Sequence, residues 1–554
     1  MNLMSPTIPE YDPVEARKLP FAEQARLVCK AWALEGYGSP LSAYLFYLLK
    51  IGLYIWGWAA FCSFSGGAHM GDLSAAGAWM FTPVAFQKAV LWSMLFEVLG
   101  FGCGSGPLTA RYLPPFGGLL YFLRPGTTKL PLFQGAPVVG GMRRSLLDAI
   151  VYAGLVASLF AALIHPDPGA LQFVPIVLLT VFAGVLDKTI FLAARAEHYW
   201  VTVVVFAFEP NWIAGAMVVQ LALWFFAGFS KLNHHFATVV CVMASNGPFT
   251  PFKWFRKSMY RDYPNDLRPS QTALVKSWMG TALELSVPTV FLIGAVSGSW
   301  NILLVGLVLM VLLHAYITSN VPMGVPLEWN VMVLYGGFFL FYANGHINPL
   351  NLSWPIAVFL ILMSIVVPIA GNRWPAKISF LLAMRYYAGN WANSVWLFKG
   401  DSHKKLEKLT KLSPWVPDQL KFLYNETVAE AISGKVQAFR LMHMHGRAYQ
   451  KLLPLAVNMN EYPQYTWMDG ELVAGMVLGY NFGEGHLHGA QLLRSVQAQC
   501  GFEPGELRCV CLESQPLGKS TLDYNIYDAS EGLQHSGQVD IKELRELQPW
   551  PTTG

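Results

Sequence analysis

WFFAGFSKLNHHFATVVCVMASNGPFTPFK, residues Trp224 to Lys253, decides how the chain is read. The stretch opens as an apolar helix and meets a lysine, Lys231, where hydrocarbon is expected to end. Asn233, His234 and His235 follow two to four residues further on. A lysine so placed is either a cationic anchor at the headgroups or a buried base with an altered pKa. The rest of the chain has to decide between these.

Composition names the solvent. The 554 residues are 54% hydrophobic and 13% charged, with mean hydropathy +0.38, against about 25% charged in an ordinary soluble domain. The chain therefore reads as a membrane protein. Its net charge of +4 gives no case for nucleic acid as a partner. The seven cysteines are odd in number and form no CxxC pair, so no disulfide framework is expected. Cys509 and Cys511 make a lone C-x-C, read as a strand holding two small apolar residues rather than a metal site.

The first forty residues carry Glu10, Asp12, Glu15 and Arg17 and lack a signal-peptide pattern. The first spanning segment is expected to serve as the insertion signal. Residues 1–41 are read as an interfacial N-terminus. Within them Pro20 to Tyr37 forms an amphipathic helix, with Phe21, Ala25, Val28, Ala31 and Trp32 on one face, lying at the headgroups.

A span needs about twenty predominantly apolar residues. Candidates fall near 42–63, 83–103, 145–164, 172–190, 197–210, 212–230, 276–297, 300–318, 329–344 and 353–371, about ten in all. PPFGGLLYFL, near 114–123, is too short to span and is expected to dip into the membrane or pack against it. With a cytoplasmic N-terminus, no external loop carries Lys or Arg, and the basic residues collect on the other side, as the positive-inside rule requires. The expected topology has both termini cytoplasmic.

After the transmembrane domain, 42–371, residues 372–400 mix Trp, Tyr, Arg and Lys with apolar residues and read as an interfacial helix. Residues 401–554 read as a small soluble α+β domain. Helices are expected near 415–452, a strand near 471–480, a helix to about 500 and strands near 507–514 and 522–528. A last helix is placed near 540–547. The fold class is mainly α: a polytopic helical membrane protein with a small C-terminal α+β cytoplasmic domain.

Ionisable residues inside spans cost about 2.5–3.5 kcal/mol each at a helix centre. Lys88 lies near a span end, where it could snorkel, and Asp148 sits in a first turn. Lys50 needs a partner such as Glu97. Glu284, two turns inside its helix with no adjacent cation, is the hardest to explain away as a harmless residue. Asp187, Lys188, Glu197 and His198, then Lys231, then His314 with Glu328, all come out at one membrane face. In the tail, His443-Met-His445 and His486-Leu-His488 are weak metal candidates, because H-x-H side chains diverge on a helix. No metal is assigned.

Several of these motifs occur in order over about 145–340: LDKT (186–189), GFSKLNHHF (228–236), PFTPFK (248–253), TALELSVPTVFLIG (281–294) and HAYITSNVPMGVPLEWNVMVL (314–334). The set resembles the membrane core of the vitamin K-dependent gamma-glutamyl carboxylases, the horizontally transferred transmembrane domain. The whole chain also resembles a bacterial family of polytopic proteins of uncharacterised function with a PEYDPVEARKLPF-type opening (9–21).

The carboxylase resemblance implies that Lys231 stands where the catalytic base falls, and His198 where a site histidine falls. It also implies a quinone as cofactor or substrate. Ser230 and Asn233 depart from the family's Lys and Asp, and Glu197 from its Asn. The tail does not resemble the carboxylase's lumenal regions, so carboxylation of a peptide does not follow. The family's site faces the lumen, and one extra N-terminal span, 42–63, would account for the inverted charge pattern here.

The expectation is a bacterial inner-membrane enzyme with Lys231 as general base and His198, Glu284 and His314 around it. It would act on a lipid-like or quinone molecule, with membrane lipids as its other partners. The alternative is a non-catalytic scaffold or lipid-handling protein working through its tail.

Overall fold

Long runs of Leu, Val, Phe and Ala have no partner in hydrocarbon for their backbone polar groups except one another, and they wind into helices. The computed structural model describes residues 4–102, 113, 117–244, 252–319, 327–378, 389–481 and 483–552. Among these, six helices are long and apolar enough to cross a membrane: Leu41–Ser65, Leu146–Ile164, Trp212–Phe229, Gln271–Ser297, Trp300–Thr318 and Trp354–Arg373. Pro83–Val98, Ala170–Leu186, Ala196–Phe208 and Leu327–Ala343 occupy the other four expected positions as shorter helices.

Local chemistry shortens some of them. Ala170–Leu186 stops at Asp187, whose carboxylate accepts from the Leu130 N–H (3.3 Å) and the Thr189 hydroxyl (2.8 Å). The next apolar run begins after Arg195, at φ +42° and ψ 57°, with a π-helical turn, Ala196–Trp200.

The helices used below are α1 (Leu41–Cys62), α2 (Pro83–Val98), α3 (Val201–Phe208), α4 (Trp212–Phe229), α5 (Phe236–Ala244), α6 (Gln271–Ser297), α7 (Trp300–Thr318) and α8 (Leu327–Gly337). Residues 245–251, 320–326 and 379–388 lie outside the described residues, and with them parts of the PFTPFK, 314–334 and 372–400 readings.

The C-terminal part is built on a five-stranded antiparallel sheet. Its strands are β1 (Asn393–Lys399), β2 (Tyr465–Asp469), β3 (Leu507–Leu512), β4 (Thr521–Asp528) and β5 (Gly532–Asp540), in the order β2-β1-β3-β4-β5. Trp396 of β1 faces Met468 on one side and Cys509 on the other.

The expected interfacial helix over 372–400 is therefore corrected. Pro375–Ile378 is a short helix, and Asn393–Lys399 is the second strand of the sheet. Val395, Trp396, Leu397 and Phe398 are all fully buried, so β1 lacks the polar–apolar alternation that marks a one-sided strand. The expected strand near 471–480 is corrected too: Gly470–Leu478 is a helix, α9. Asp469 caps its start by accepting from the Glu471 N–H, and Gly479 at φ +79° ends it.

The amphipathic N-terminal helix forms over Phe21–Glu35, within a residue or two of its expected bounds. Its apolar face does not lie open at the headgroups. Phe21, Ala25, Val28 and Trp32 pack with Leu441, Tyr449 and Tyr462 of the C-terminal domain. Each large side chain so buried is worth about 1.5–3 kcal/mol, and Arg17 adds an ion pair to Glu430 at 2.6 Å.

The loop after α2 ties the two halves together. Tyr121, in the short helix Gly118–Phe122, donates to the Met476 carbonyl (2.5 Å) and accepts from the N–H groups of Leu412 (3.0 Å) and Ser413 (2.9 Å). A Cβ on Gly479 would lie 2.1 Å from Tyr121 Cγ. Gly479→Ala is expected to expel the ring and also to suffer about 1–2 kcal/mol of left-handed backbone strain. The melting temperature of the full chain should fall. An unchanged melting temperature would show that Tyr121 does not join the halves.

Candidate functional site

Lys231 follows the last turn of α4, where a cation complements the exposed carbonyls of a helix C-terminus. Its Nζ donates to the Ala227 carbonyl at 3.1 Å and forms an ion pair with Glu284 of α6. The Phe236 ring lies 5.5 Å from the same nitrogen. Both partners are buried, their side chains 9% and 8% exposed.

The isolated carboxylate in the middle of TALELSVPTVFLIG thus finds its cation 53 residues away. Gly228 makes the meeting geometrically feasible. A Cβ there would sit 2.9 Å from Leu285 Cδ2 and 3.2 Å from the Leu285 backbone nitrogen, so the missing side chain helps α4 and α6 approach this closely.

The turn after Lys231 is held by its own polar groups. Asn233 Oδ1 accepts from the N–H groups of His235 (2.7 Å) and Phe236 (3.2 Å), capping α5, while its amide donates to the Ser230 carbonyl. Asn233 therefore works as a helix cap. On the outer side of this turn lies a cleft of about 220 Å³. Phe229, Leu232, Asn233 and Trp278 line it from the membrane side, with Asn372 at the end of the helix Trp354–Arg373, and Gln515 and Leu517 from the side of the sheet domain. Leu232 and Trp278 are exposed, as residues at a lipid boundary would be. Lys231 sits behind this wall, flanked by Ser230 and Leu232, which do line the cleft.

The other two candidates stand apart from this pair. His314 of α7 accepts from Trp224 Nε1 at 3.0 Å and approaches Asn330 Oδ1 to 2.6 Å through Nδ1. Accepting at Nε2 makes Nδ1 the donor, and both ring nitrogens are engaged. Asn330 in turn donates to Thr318 Oγ1 at 2.7 Å, so His314 belongs to a network with Trp224, Asn330 and Thr318. His198 lies in the π-turn, 4.6 Å from the Tyr199 ring and edge-on to Trp329 at 6.4 Å. No described contact joins either histidine to Lys231 or Glu284.

The sequence reading named Lys50, Glu97 and Glu328 but not Arg195, and the structure joins them in buried ion pairs. Arg195 Nε reaches Glu97 Oε1 at 2.7 Å, and Lys50 Nζ reaches Glu328 Oε2 at 3.1 Å. Arg195 lies between the expected spans 172–190 and 197–210, and a cation between two apolar runs was the available signal. Lys50 pairs with Glu328 rather than with Glu97 alone. Lys88 does not snorkel: it is fully buried and donates to the Phe61 carbonyl at 2.9 Å. Asp148 caps its helix through Ser145, as a first-turn carboxylate should, and also pairs with Lys129 at 2.5 Å.

The four tail histidines do not converge. His443 approaches the Phe439 carbonyl at 2.7 Å through Nδ1. His445 stacks on His235, ring centroids 4.5 Å apart. His488 Nδ1 lies 2.8 Å from Ser394 Oγ. His486 is clamped between two carboxylates, with Glu484 at Nδ1 and Glu513 at Nε2, 2.7 Å away. Burial opposes a charged His486 ring, but the carboxylates of Glu513 and Glu484 outweigh it and push its pKa up to about 9. Burial pushes His235 down to about 4, His443 and His488 down to about 3, and His445 well below its ordinary value. Among the described residues no three His, Cys, Asp or Glu side chains are grouped to hold a metal ion.

No curated protein and no solved structure matches this chain. A family described as transmembrane protein of unknown function (DUF3556) matches over residues 1–554. Its description agrees with the apolar helices above, and the chain belongs to this transmembrane family.

Proposed function

We propose that this protein is a membrane-embedded enzyme of the bacterial inner membrane that acts on a hydrophobic molecule, lipid-like or a quinone. The reading takes ten membrane segments with both termini cytoplasmic. Lys231 is its general base and Glu284 the group that holds and receives the lysine's proton. The observation that carries it is a buried Lys–Glu pair directly behind the wall of a cleft that opens beside lipid-facing Trp278 and Leu232. Transfer of one proton from Nζ to the Glu284 carboxylate leaves an amine whose lone pair can take a proton from a bound substrate. His314 positions α4 by its hydrogen bond with Trp224, two turns before Lys231.

A second reading, a lipid-handling scaffold, is favoured by a specific fact: Lys231 already has two hydrogen-bond acceptors, Ala227 and Glu284, and does not itself line the cleft. The experiment compares the wild type with Lys231→Ala and Lys231→Arg. Small molecules retained on purification are identified by mass spectrometry and then supplied as substrates. General-base catalysis contributes about 10²–10⁴-fold, and both variants are expected to lose turnover on that scale while still retaining the molecule. Undiminished turnover in both would remove Lys231 from the chemistry and leave the scaffold.

A further inference from the structure

Where α6 begins, three elements meet around Phe255 of the short helix Lys253–Ser258. Lys276, in the second turn of α6, places its Nζ 3.8 Å from the Phe255 ring centroid. Arg256 Nη1 donates to the Leu34 carbonyl, 3.4 Å away, at the end of the N-terminal helix Phe21–Glu35. Lys253 and Lys257 stand exposed on the same short helix. Four cations are thus gathered at one end of α6.

Among the described residues none of the four forms an ion pair, and every Asp and Glu of the chain is among those residues. Arg261 and Arg268, a few residues further on, do find carboxylates, at Glu546 and Asp266. The excess of positive charge is therefore local to this patch. A negative charge from outside the chain fits it.

Exposed apolar side chains accompany the charges. Phe252 and Trp254, on either side of Lys253, are 59% and 68% exposed. On α6 Val275, Trp278 and Met279 are exposed as well, and at i, i+3 and i+4 they share one helix face at the start of the span Gln271–Ser297. Tryptophan beside Lys and Arg is the combination that settles at headgroup level. A soluble polyanion would satisfy the cations alone. An amphiphile with a negative head takes the cations with its head, and the rings and the stripe with its chains.

We propose that the short helix Lys253–Ser258 and the first two turns of α6 bind an anionic phospholipid, its headgroup held by Lys253, Arg256, Lys257 and Lys276. The surface is distinct from the Lys231–Glu284 pair and does not depend on chemistry there. Each Lys or Arg near the headgroups contributes about fivefold to the affinity for an anionic lipid. The attraction is electrostatic and weakens as salt rises.

The test is native mass spectrometry of the full-length protein released from nanodiscs of equal parts phosphatidylglycerol and phosphatidylcholine. The wild type should retain phosphatidylglycerol in preference to phosphatidylcholine, and high salt should shrink the preference. Lys253→Gln combined with Lys257→Gln removes two exposed cations and should lower the affinity for phosphatidylglycerol about 25-fold. Lys404→Gln combined with Lys421→Gln, at exposed lysines of the C-terminal domain, should leave it unchanged. Where the first double variant does not fold, the lipid ratio of the wild type decides. Equal retention of the two lipids by the wild type, or an undiminished preference in the Lys253→Gln, Lys257→Gln variant, would overturn the proposal. A single-stranded oligonucleotide bound by the patch in place of any lipid preference would assign it to nucleic acid and overturn the proposal too.

Discussion

Lys231→Met alone is expected to destabilise the membrane domain by about 3–5 kcal/mol, the cost of leaving one member of a buried ion pair without its partner. Combined with Glu284→Leu, most of that loss should return, because two apolar residues of similar volume need no compensation in a bilayer. The magnitude follows from burial. Both side chains are less than a tenth exposed, where α4 and α6 approach closely at Gly228. A headgroup anchor behaves otherwise: an exposed pair contributes about 0–1 kcal/mol. Denaturant unfolding of the two single variants and the double variant gives the coupling directly. A double variant as unstable as the sum of the singles would mean that the pair does not exist in the membrane.

His486→Gln should have the second largest effect, and one that depends on pH. The wild-type imidazolium separates Glu484 from Glu513; glutamine leaves two carboxylates facing across one side chain. Loss of a buried charge from such a cluster costs about 3–5 kcal/mol.

The sign follows from linkage. The folded-state pKa of His486, about 9, lies above the ordinary 6.5. Its stabilisation is fully present below 6.5 and is lost as pH rises through 9. His235, His443, His445 and His488 act in the opposite sense. Burial holds them below 6.5, so their share is present above 6.5 and is lost as pH falls towards 4 and 3. The wild-type melting temperature should therefore peak near pH 6.5. His486→Gln should lower the peak and flatten its alkaline limb, leaving the acid limb in place. Persistence of the full alkaline limb in the variant would refute the clamp.

The membrane character of the chain and the positions of its apolar helices were legible in the sequence, because hydrocarbon leaves a backbone few choices. The C-terminal strands Leu507–Leu512 and Thr521–Asp528 were legible for a different reason: their apolar positions alternate. Where a segment is buried on every side, that periodicity disappears. Asn393–Lys399 passed for an interfacial helix and Gly470–Leu478 for a strand, although Asp469 and Gly479 bracketed the latter as helix caps.

Of the site, the sequence alone determined that Glu284 lay inside its helix with no adjacent cation and that Lys231 stood where hydrocarbon ends. Only the tertiary structure decided that each answers the other, through the helix contact at Gly228. It likewise decided that His314 and His198 belong elsewhere, in a network with Trp224 and edge-on to Trp329. Pairing across 53 residues is set by which helix faces meet, and no local pattern encodes that.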